Sequence, residues 1–406
     1  MTARAETLQR LARERLDTTR VIAWAGVVLG LLAFWLALPP AEIRTPVVPI
    51  VIGLCAIGVG AWAVTRGVRR IGWGAVAAGV LGIVLGVLAT RSSTSNLENV
   101  VVWSALLAAT LRAATPLTFA ALGGILSERS GVVNIGLEGM MLTGAFFAFY
   151  GADRFGSWTF GVLAAVLAGA AMALIHAVVS IHLRADQIVS GMAINFLALG
   201  VTGYFFVDVY KGEGTPSEVS FIPSLHLDFL KDVYFIGPIF SNLNWMIWIG
   251  LALLVVVHLA LFKTAIGLRL RSVGEHPKAA DTVGISVYRT RYAAVICSGI
   301  LAALGGAYLS IGFVHSFSEN MTAGKGYIAL AAVIFGGWRP FGAFAAALLF
   351  GFSSAIADRM QVYRETLPGI DVLIQALPYA LTLIAVAGVV GRSIPPAAVG
   401  RPYVKQ

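Results

Sequence analysis

Residues 127–141 read SERSGVVNIGLEGMM, in the middle of a chain that is otherwise mostly apolar. Glu128 and Arg129 are followed by Gly131, Asn134, Gly136, Glu138 and Gly139 before the apolar residues resume. The glycines lower the steric cost of turning, and Asn134 and Glu138 are polar groups placed where a helix re-enters an apolar layer. Two readings fit these residues. In one, a helix is broken and the break lines a polar path faced by Asn134 and Glu138. In the other, the stretch is an ordinary turn, and Glu138 is a first-turn carboxylate favoured by the helix dipole.

The surrounding sequence sets the fold class. Of 406 residues, 58% are hydrophobic and 12% charged, with a mean hydropathy of +0.84. That leaves too few polar side chains to cover a soluble globule of this size. Apolar runs of about 20 residues, enough to cross the hydrocarbon core of a bilayer as helices, recur along the chain. The first begins at Val21 after a charged stretch and is not followed by an A-x-A site, so no cleavable signal is expected. The formal charge of +9 does not imply a nucleic-acid partner, because Lys and Arg lie in short loops between apolar runs and form no basic domain. Cys55 and Cys297 both fall inside apolar runs, where they read as packing residues, with neither a disulfide framework nor a metal cluster.

The expected protein is all-α and polytopic. Spans are read at 21–38, 45–64, 71–89, 105–126, 137–153, 158–180, 188–207, 244–262, 292–313, 327–337, 341–357 and 372–391, twelve in all. Residues 1–20 place Leu8, Leu11, Ala12 and Leu16 on one helical face, as in a helix lying along a membrane surface. An even number of spans puts both termini on one side. The termini and the loops sharing that side carry 20 Lys and Arg against 8 in the opposite loops, which makes that side cytoplasmic. Two loops are long: an external one at about 208–243 and a cytoplasmic one at 263–291. Two spans are unusual. Residues 115–126 open with Pro116 and close at Gly123 and Gly124; residues 327–337 are too short to cross and end at Gly336 and Gly337. Each is followed by a span beginning with Gly-Ala-Phe, at 144–146 and at 342–344. Paired short, Gly- or Pro-interrupted segments point to a transport path, since unpaired backbone is tolerated at depth only beside a cavity or within protein.

Several chemistries are missing. No G-x-x-x-x-G-K-[ST] occurs, and the nearest approach, AGKG at 323–326, lacks the Ser or Thr, so the chain cannot hydrolyse ATP alone. No metal-binding spacing or catalytic triad can be argued from six scattered histidines, and His176 and His258 read as hydrogen-bonded packing residues. Within the spans, ionisable groups are limited to Arg112, Glu138 and, near a boundary, Asp186. This disfavours an ion-gradient-driven secondary carrier, the alternative reading, because such carriers need buried groups to hold the coupling ion. For Arg112, snorkelling, pairing with Glu138 and meeting a helix C-terminus all stay open.

The run SERSGVVNIGLEGMMLTGAFFA, with RADQIVSGMAINFLA at 184–198 and the loop GLRLRSVGEHPKAADTVGIS, resembles the permease subunits of bacterial ABC importers for nucleosides and simple sugars, the family that also serves ribose and branched-chain amino acids. The resemblance covers roughly residues 100–392. It implies a type II-like importer fold with a ten-segment permease core. The domains would be a surface segment 1–20, additional spans 21–98, a permease domain 99–392 and a cytoplasmic tail 393–406. It implies a coupling helix of the form G-E/N-x-P-x-A-A-x-x-x-G-I that seats on an ATPase subunit, here Gly274, Glu275, Pro277, Ala279, Ala280, Gly284 and Ile285. Small residues at Ala279 and Ala280 would allow close approach to that partner, and Gly284 would end the helix. The implied partners are a cytoplasmic ATPase holding ATP and Mg, a second permease chain, identical or related, and an extracytoplasmic solute-binding lipoprotein; this chain itself would hold no cofactor. A neutral, hydroxyl-rich solute needs hydrogen-bonding side chains and aromatic faces along its path, and the candidates are Asn134, Glu138, Gln187, Ser190, Asn195 and Phe196. Asn195 fits a helix–helix contact equally well.

Overall fold

A computed structural model of the chain describes residues 2–36, 45–91, 103–361 and 394–405, apart from 213, 217, 232, 234 and 235. The described residues fall into two compact units. Among them, one holds residues up to Leu106 together with 356–361; the other holds residues 107–355 and the C-terminal segment 394–405.

The first unit is a three-helix packet of α1 (Thr2–Trp35), α2 (Val47–Thr65) and α3 (Arg69–Arg91). The expected surface segment and first span are a single helix, because no Gly or Pro stands between Thr2 and Ala25 to end it. The helices touch through small residues: a Cβ on Gly60 would sit 2.6 Å from the Gly72 carbonyl oxygen, and one on Gly72 2.7 Å from that of Gly60. Such backbone proximity is how helices associate where lipid removes the hydrophobic drive.

The second unit begins with α4 (Trp103–Arg129), α5 (Leu137–Phe155) and α6 (Trp158–Ala177), the last extended by a π-helical turn at Val178–His182. Next come α7 (Gln187–Tyr210) and an antiparallel pair, β1 (Ser224–His226) and β2 (Asn242–Asn244), within the first long connection. It continues with α8 (Trp245–Lys263), α9 (Ala265–Glu275), α10 (Pro277–Thr282) and α11 (Val287–Ala307), the last extended by a π-helical turn at Tyr308–Val314. The unit's last helices are α12 (Lys325–Phe335) and α13 (Pro340–Gln361). Helix α5 is the hub: it is buried along most of its length and packs on α6, α7 and α11. Its crossing with α11 is set by glycines. A Cβ at Gly306 would be driven into the Met141 carbonyl oxygen, and one at Gly144 into Ala303.

Nine helices among the described residues are long and apolar enough to cross a membrane. Of the other expected spans, α5 has 19 residues but carries Glu138, Asp153 and Arg154, α12 is too short, and 372–391 lies outside the described residues. The chain is an all-α polytopic membrane protein.

The two expected short helices fare differently. Residues 325–335 do form a helix of 11 residues, about 16 Å long, roughly half the hydrocarbon core. The break expected at 115–126 is absent, since α4 runs unbroken for 27 residues with Pro116 inside it. Proline removes one backbone donor, which a membrane helix tolerates when neighbours compensate. The carbonyl that Pro116 leaves without its helical donor is that of Arg112; the flanking Thr115 and Thr118 hydroxyls bond the Leu111 and Ala114 carbonyls at 2.7 and 2.8 Å. Gly123 serves close packing on the Ser298 backbone in place of a turn. Cys55 and Cys297 are not packing residues either; both are exposed on outward helix faces.

Replacing Gly306 by Val forces α5 and α11 apart and should lower the melting temperature of the purified chain, with a cost of at least about 1–3 kcal/mol for overpacking. Gly200, whose Cβ would meet nothing within 4 Å, is the control, and Gly200→Ala should leave melting unchanged or slightly raised. Equal melting of the two variants would contradict the packing described.

Candidate functional site at a broken membrane helix

Helix α4 ends in a turn closed by Ser127 and Ser130. The Ser127 hydroxyl donates to the Val132 carbonyl at 2.8 Å, and Gly131 adopts φ +92°, which favours glycine. The chain does not then turn back along the surface. Arg291 Nε donates to the Ser130 carbonyl, whereas Asn134 Nδ2 donates to Ser298 Oγ at 2.9 Å. Arg291 and Ser298 lie two turns apart on α11, a rise of about 10 Å. Residues 130–134 therefore climb into the bundle as an extended segment, and α5 starts inside it.

Backbone without helical bonds must find other partners when buried. The neighbouring helices supply them as side chains. Gln187 Oε1 accepts the Val133 N–H at 2.7 Å, and the Val133 carbonyl accepts from His176 Nε2 at 3.1 Å. That carbonyl can only accept, so Nε2 carries the proton, and in the neutral ring Nδ1 accepts from the Ser190 hydroxyl at 2.9 Å. Asn195 spans the far end: Oδ1 accepts the Gly139 N–H at 2.8 Å, while Nδ2 donates to the Ile135 carbonyl and to the Tyr327 hydroxyl. Each of these side chains is at least nine-tenths buried, apart from Tyr327, which is exposed.

Glu138 is in the first turn of α5, but its carboxylate does not cap its own helix. Its two oxygens accept the Gly324 and Gly326 N–H groups at 2.8 and 2.5 Å, at the N-terminus of α12. The sequence AGKG thus forms a small anion cradle of glycine-flanked backbone N–H groups, and the anion is the protein's own. At the other end of α12, Arg129 donates to the Gly337 and Trp338 carbonyls, and Trp338 Nε1 donates to the buried Glu128. The half-length helix is therefore held at its positive end by a carboxylate and at its negative end by a guanidinium, both flanking the break.

Five of the six expected path residues, Asn134, Glu138, Gln187, Ser190 and Asn195, meet in this network. Phe196 does not: one position beyond Asn195, it points outward and is 66% exposed. The C-terminal half of α7 forms an open groove at Gly200, Gly203, Tyr204 and Asp208, with Glu319 across it. Asn134 Oδ1, Gln187 Nε2 and Arg291 Nη2 have no hydrogen-bond partner, so the network keeps one buried acceptor and two buried donors unused. Arg112 does not pair with Glu138; it donates to the Asn242 carbonyl in β2. His176 is hydrogen-bonded as expected, but His258 packs its ring between Phe262 and Phe341 with Nδ1 unpartnered. Ser298, Tyr327, Arg129 and Arg291 join the site without any local sequence signal, because each acts across a long stretch of chain.

The expected coupling residues lie on α9, α10 and the turn after them. Pro277 opens α10, and Gly284 ends it at φ +83°. Two of the residues face inward. Gly274 packs on the Arg129 carbonyl, and Ala280 sits in a small core with Val273, Val287 and Tyr403. The outward face is Glu275, His276, Lys278, Ala279, Thr282 and Val283.

A membrane bundle with a half-length helix and a broken helix held by side chains suits a path for solute through lipid. The family described as branched-chain amino acid transport system / permease component matches residues 106–386, and the chain belongs to that family. It is 42% identical over 320 residues to the guanosine ABC transporter permease protein NupQ of Bacillus subtilis, covering 76% of this chain and 99% of that one. It is 40% identical to the nucleoside ABC transporter permease protein NupC of Lactococcus lactis, over 72% of this chain and 94% of that one. A putative glucose ABC transporter permease protein, TsgC13 of Haloferax volcanii, is 36% identical over 63% of this chain and 78% of its own length. No solved structure matches. The chain is a membrane component of a transporter and not an enzyme in itself.

Asn195→Ala leaves the Gly139 N–H and Ile135 carbonyl unpaired, and Glu138→Gln turns an amide N–H₂ toward a backbone donor. Each orphaned group costs about 1–3 kcal/mol, so both variants should melt well below the parent chain in detergent. Phe196→Ala in the isolated chain should stay within about 0.5 kcal/mol of it. Asn195→Ala and Phe196→Ala melting together would rule out the network as the support of the break.

Proposed function

We propose that the chain is the membrane subunit of an ATP-driven importer of nucleosides, with simple sugars as the next substrate class. The observation that carries this is the 42% identity to a guanosine permease over 99% of that protein's length. The chemistry of the break supports it. A nucleoside is neutral, with ring and hydroxyl donors and acceptors, and the unused Asn134 oxygen and Gln187 amide offer one of each beside the re-entrant segment. Asn134, Gln187 and the groups around them would border the path; Glu138, Ser190 and Asn195 hold its walls. Phe196 and Tyr204, on the open face of α7, offer aromatic surface to a passing base or to a second permease chain.

Energy would come from an ATPase subunit that binds ATP and Mg and docks on the outward face of α9 and α10. The charge distribution favours a cytoplasmic position for that face and for both termini in the bacterial cell membrane. Residues 394–405 contact Gly274 and Tyr288 and so lie on the same side as the docking loop. A binding lipoprotein would deliver solute from the other side. An ion-coupled carrier is less consistent with the site: Glu128 and Glu138, the buried carboxylates among the described residues, are each committed to a hydrogen-bond partner.

Reconstituted with its ATPase and binding protein, the chain should take up labelled guanosine only with ATP. Unlabelled nucleosides should compete about tenfold better than ribose, glucose or leucine, a difference of about 1.4 kcal/mol in binding. Uptake that persists without the ATPase and collapses with an ionophore would sink the proposal in favour of a secondary carrier.

A further inference from the structure

The C-terminal segment 394–405 has no regular secondary structure, yet it is stitched into the bundle at several points. The Ala398 N–H donates to the Gly274 carbonyl at the end of α9 at 2.9 Å, and the Ala397 N–H donates to Glu275 Oε2 at 3.1 Å. Tyr403 is buried, and its ring meets Tyr288 edge-on at 5.6 Å. The Tyr288 hydroxyl in turn donates to the Tyr403 carbonyl. Ala280, Val273 and Val287 complete the apolar core that this ring closes, so the inward faces of α9 and α10 rest on the segment.

The same segment reaches the break. Arg291, in the first turns of α11, is 1% exposed. Its Nε donates to the Ser130 carbonyl at the start of the climbing segment, and its Nη1 donates to the Arg401 carbonyl. Ala398 and Gly400 lie against Gly131 and Val133, with the Ala398 carbonyl oxygen 3.2 Å from where a Gly131 Cβ would stand. A fully buried guanidinium held by backbone carbonyls of two distant segments is costly to place and fixes their geometry. Here it fastens residues 394–405 to residues 130–133, while Ala397, Ala398 and Tyr403 hold the same segment to α9 and α10.

We propose that residues 394–405 are a strap that transmits movement of the ATPase-docking helices to the broken membrane helix, with Tyr403 and Arg291 as its positioning residues. This rests on the reading of α9 and α10 as the docking face. Without the strap, α10 is a six-residue helix whose inward side loses its apolar cover, and movement imposed on it would be absorbed in the loop. With the strap, a shift of Gly274 or Glu275 pulls on the segment that is also tied to Ser130 through Arg291. Tyr403 and Arg291 act through other groups and need not touch solute.

Two measurements test the strap separately from the docking reading. In the chain alone, in nanodiscs, tryptic cleavage at the exposed Lys278 should be slow. It should quicken by about tenfold in a chain ended at residue 393 and in Tyr403→Ala, while Tyr403→Phe, which keeps the ring, should cleave like the parent. In the assembled transporter, Tyr403→Ala should still co-purify with the ATPase and keep its basal hydrolysis, while stimulation by solute-loaded binding protein and uptake fall by about tenfold; Tyr403→Phe should keep both. Unchanged protection together with unchanged stimulation in Tyr403→Ala would overturn the strap. So would loss of the ATPase from Tyr403→Ala with protection intact, since the segment would then belong to the docking surface. If the parent chain never holds an ATPase, the docking reading fails, and the cleavage arm still decides whether the segment braces α9 and α10.

Discussion

The structure depends on how a few backbone groups are satisfied where water is scarce. Between Ser130 and Gly136 the chain gives up helical hydrogen bonds while climbing through a packed bundle, and each unpaired N–H or carbonyl there would cost several kcal/mol in a lipid-like interior. Gln187, His176, Asn195 and Arg291 relieve that cost from three other helices. The break thus recruits the polar residues of the second unit into one network, and α5 cannot keep its starting position unless α6, α7 and α11 keep theirs.

The same constraint explains α12. A helix of 11 residues cannot cross a bilayer, so at least one end must be buried with its terminal groups unpaired unless the protein supplies partners. Glu138 supplies them at the N-terminus, the turn at 336–338 pairs the last carbonyls, and Arg129 holds that turn; Glu138 and Arg129 flank the break. Break and half-helix are therefore one device: displacing the climbing segment moves both clamps on α12. Such an arrangement suits a transporter, which needs discrete alternative packings more than gradual deformation. It also gives a reason for buried carboxylates in a permease whose drive would come from a partner, since these charges hold backbone.

Much of the fold could be read from residue order alone. Apolar runs gave nine helices their place, and Gly336 and Gly337 marked the short helix, because length and glycine punctuation are local properties. Pro116 misled because a proline inside a membrane helix forfeits one hydrogen bond, a cost that packing which local sequence does not display can outweigh. The polar site was legible as residue types and hidden as a set of contacts. Glu138 and Gly324 are 186 positions apart, and no period or spacing links them. Asn195 and Phe196 show how coarse the reading was, since adjacent residues on a helix face directions about 100° apart, one into the network and one out of it. Ala280 was read as a contact for a partner, and it faces Tyr403, whose approach from the far end of the chain nothing nearby announces.

The central claim, that residues 130–134 climb two turns along α11, can be measured with paired cysteines in a chain whose Cys55 and Cys297 have been replaced. A short thiol-specific cross-linker should join Asn134→Cys to Ser298→Cys readily and leave Asn134→Cys paired with Arg291→Cys unjoined. Cross-linking of the second pair and not the first would mean that the stretch turns at the bundle's edge, and the account of a re-entrant, side-chain-held break would be wrong.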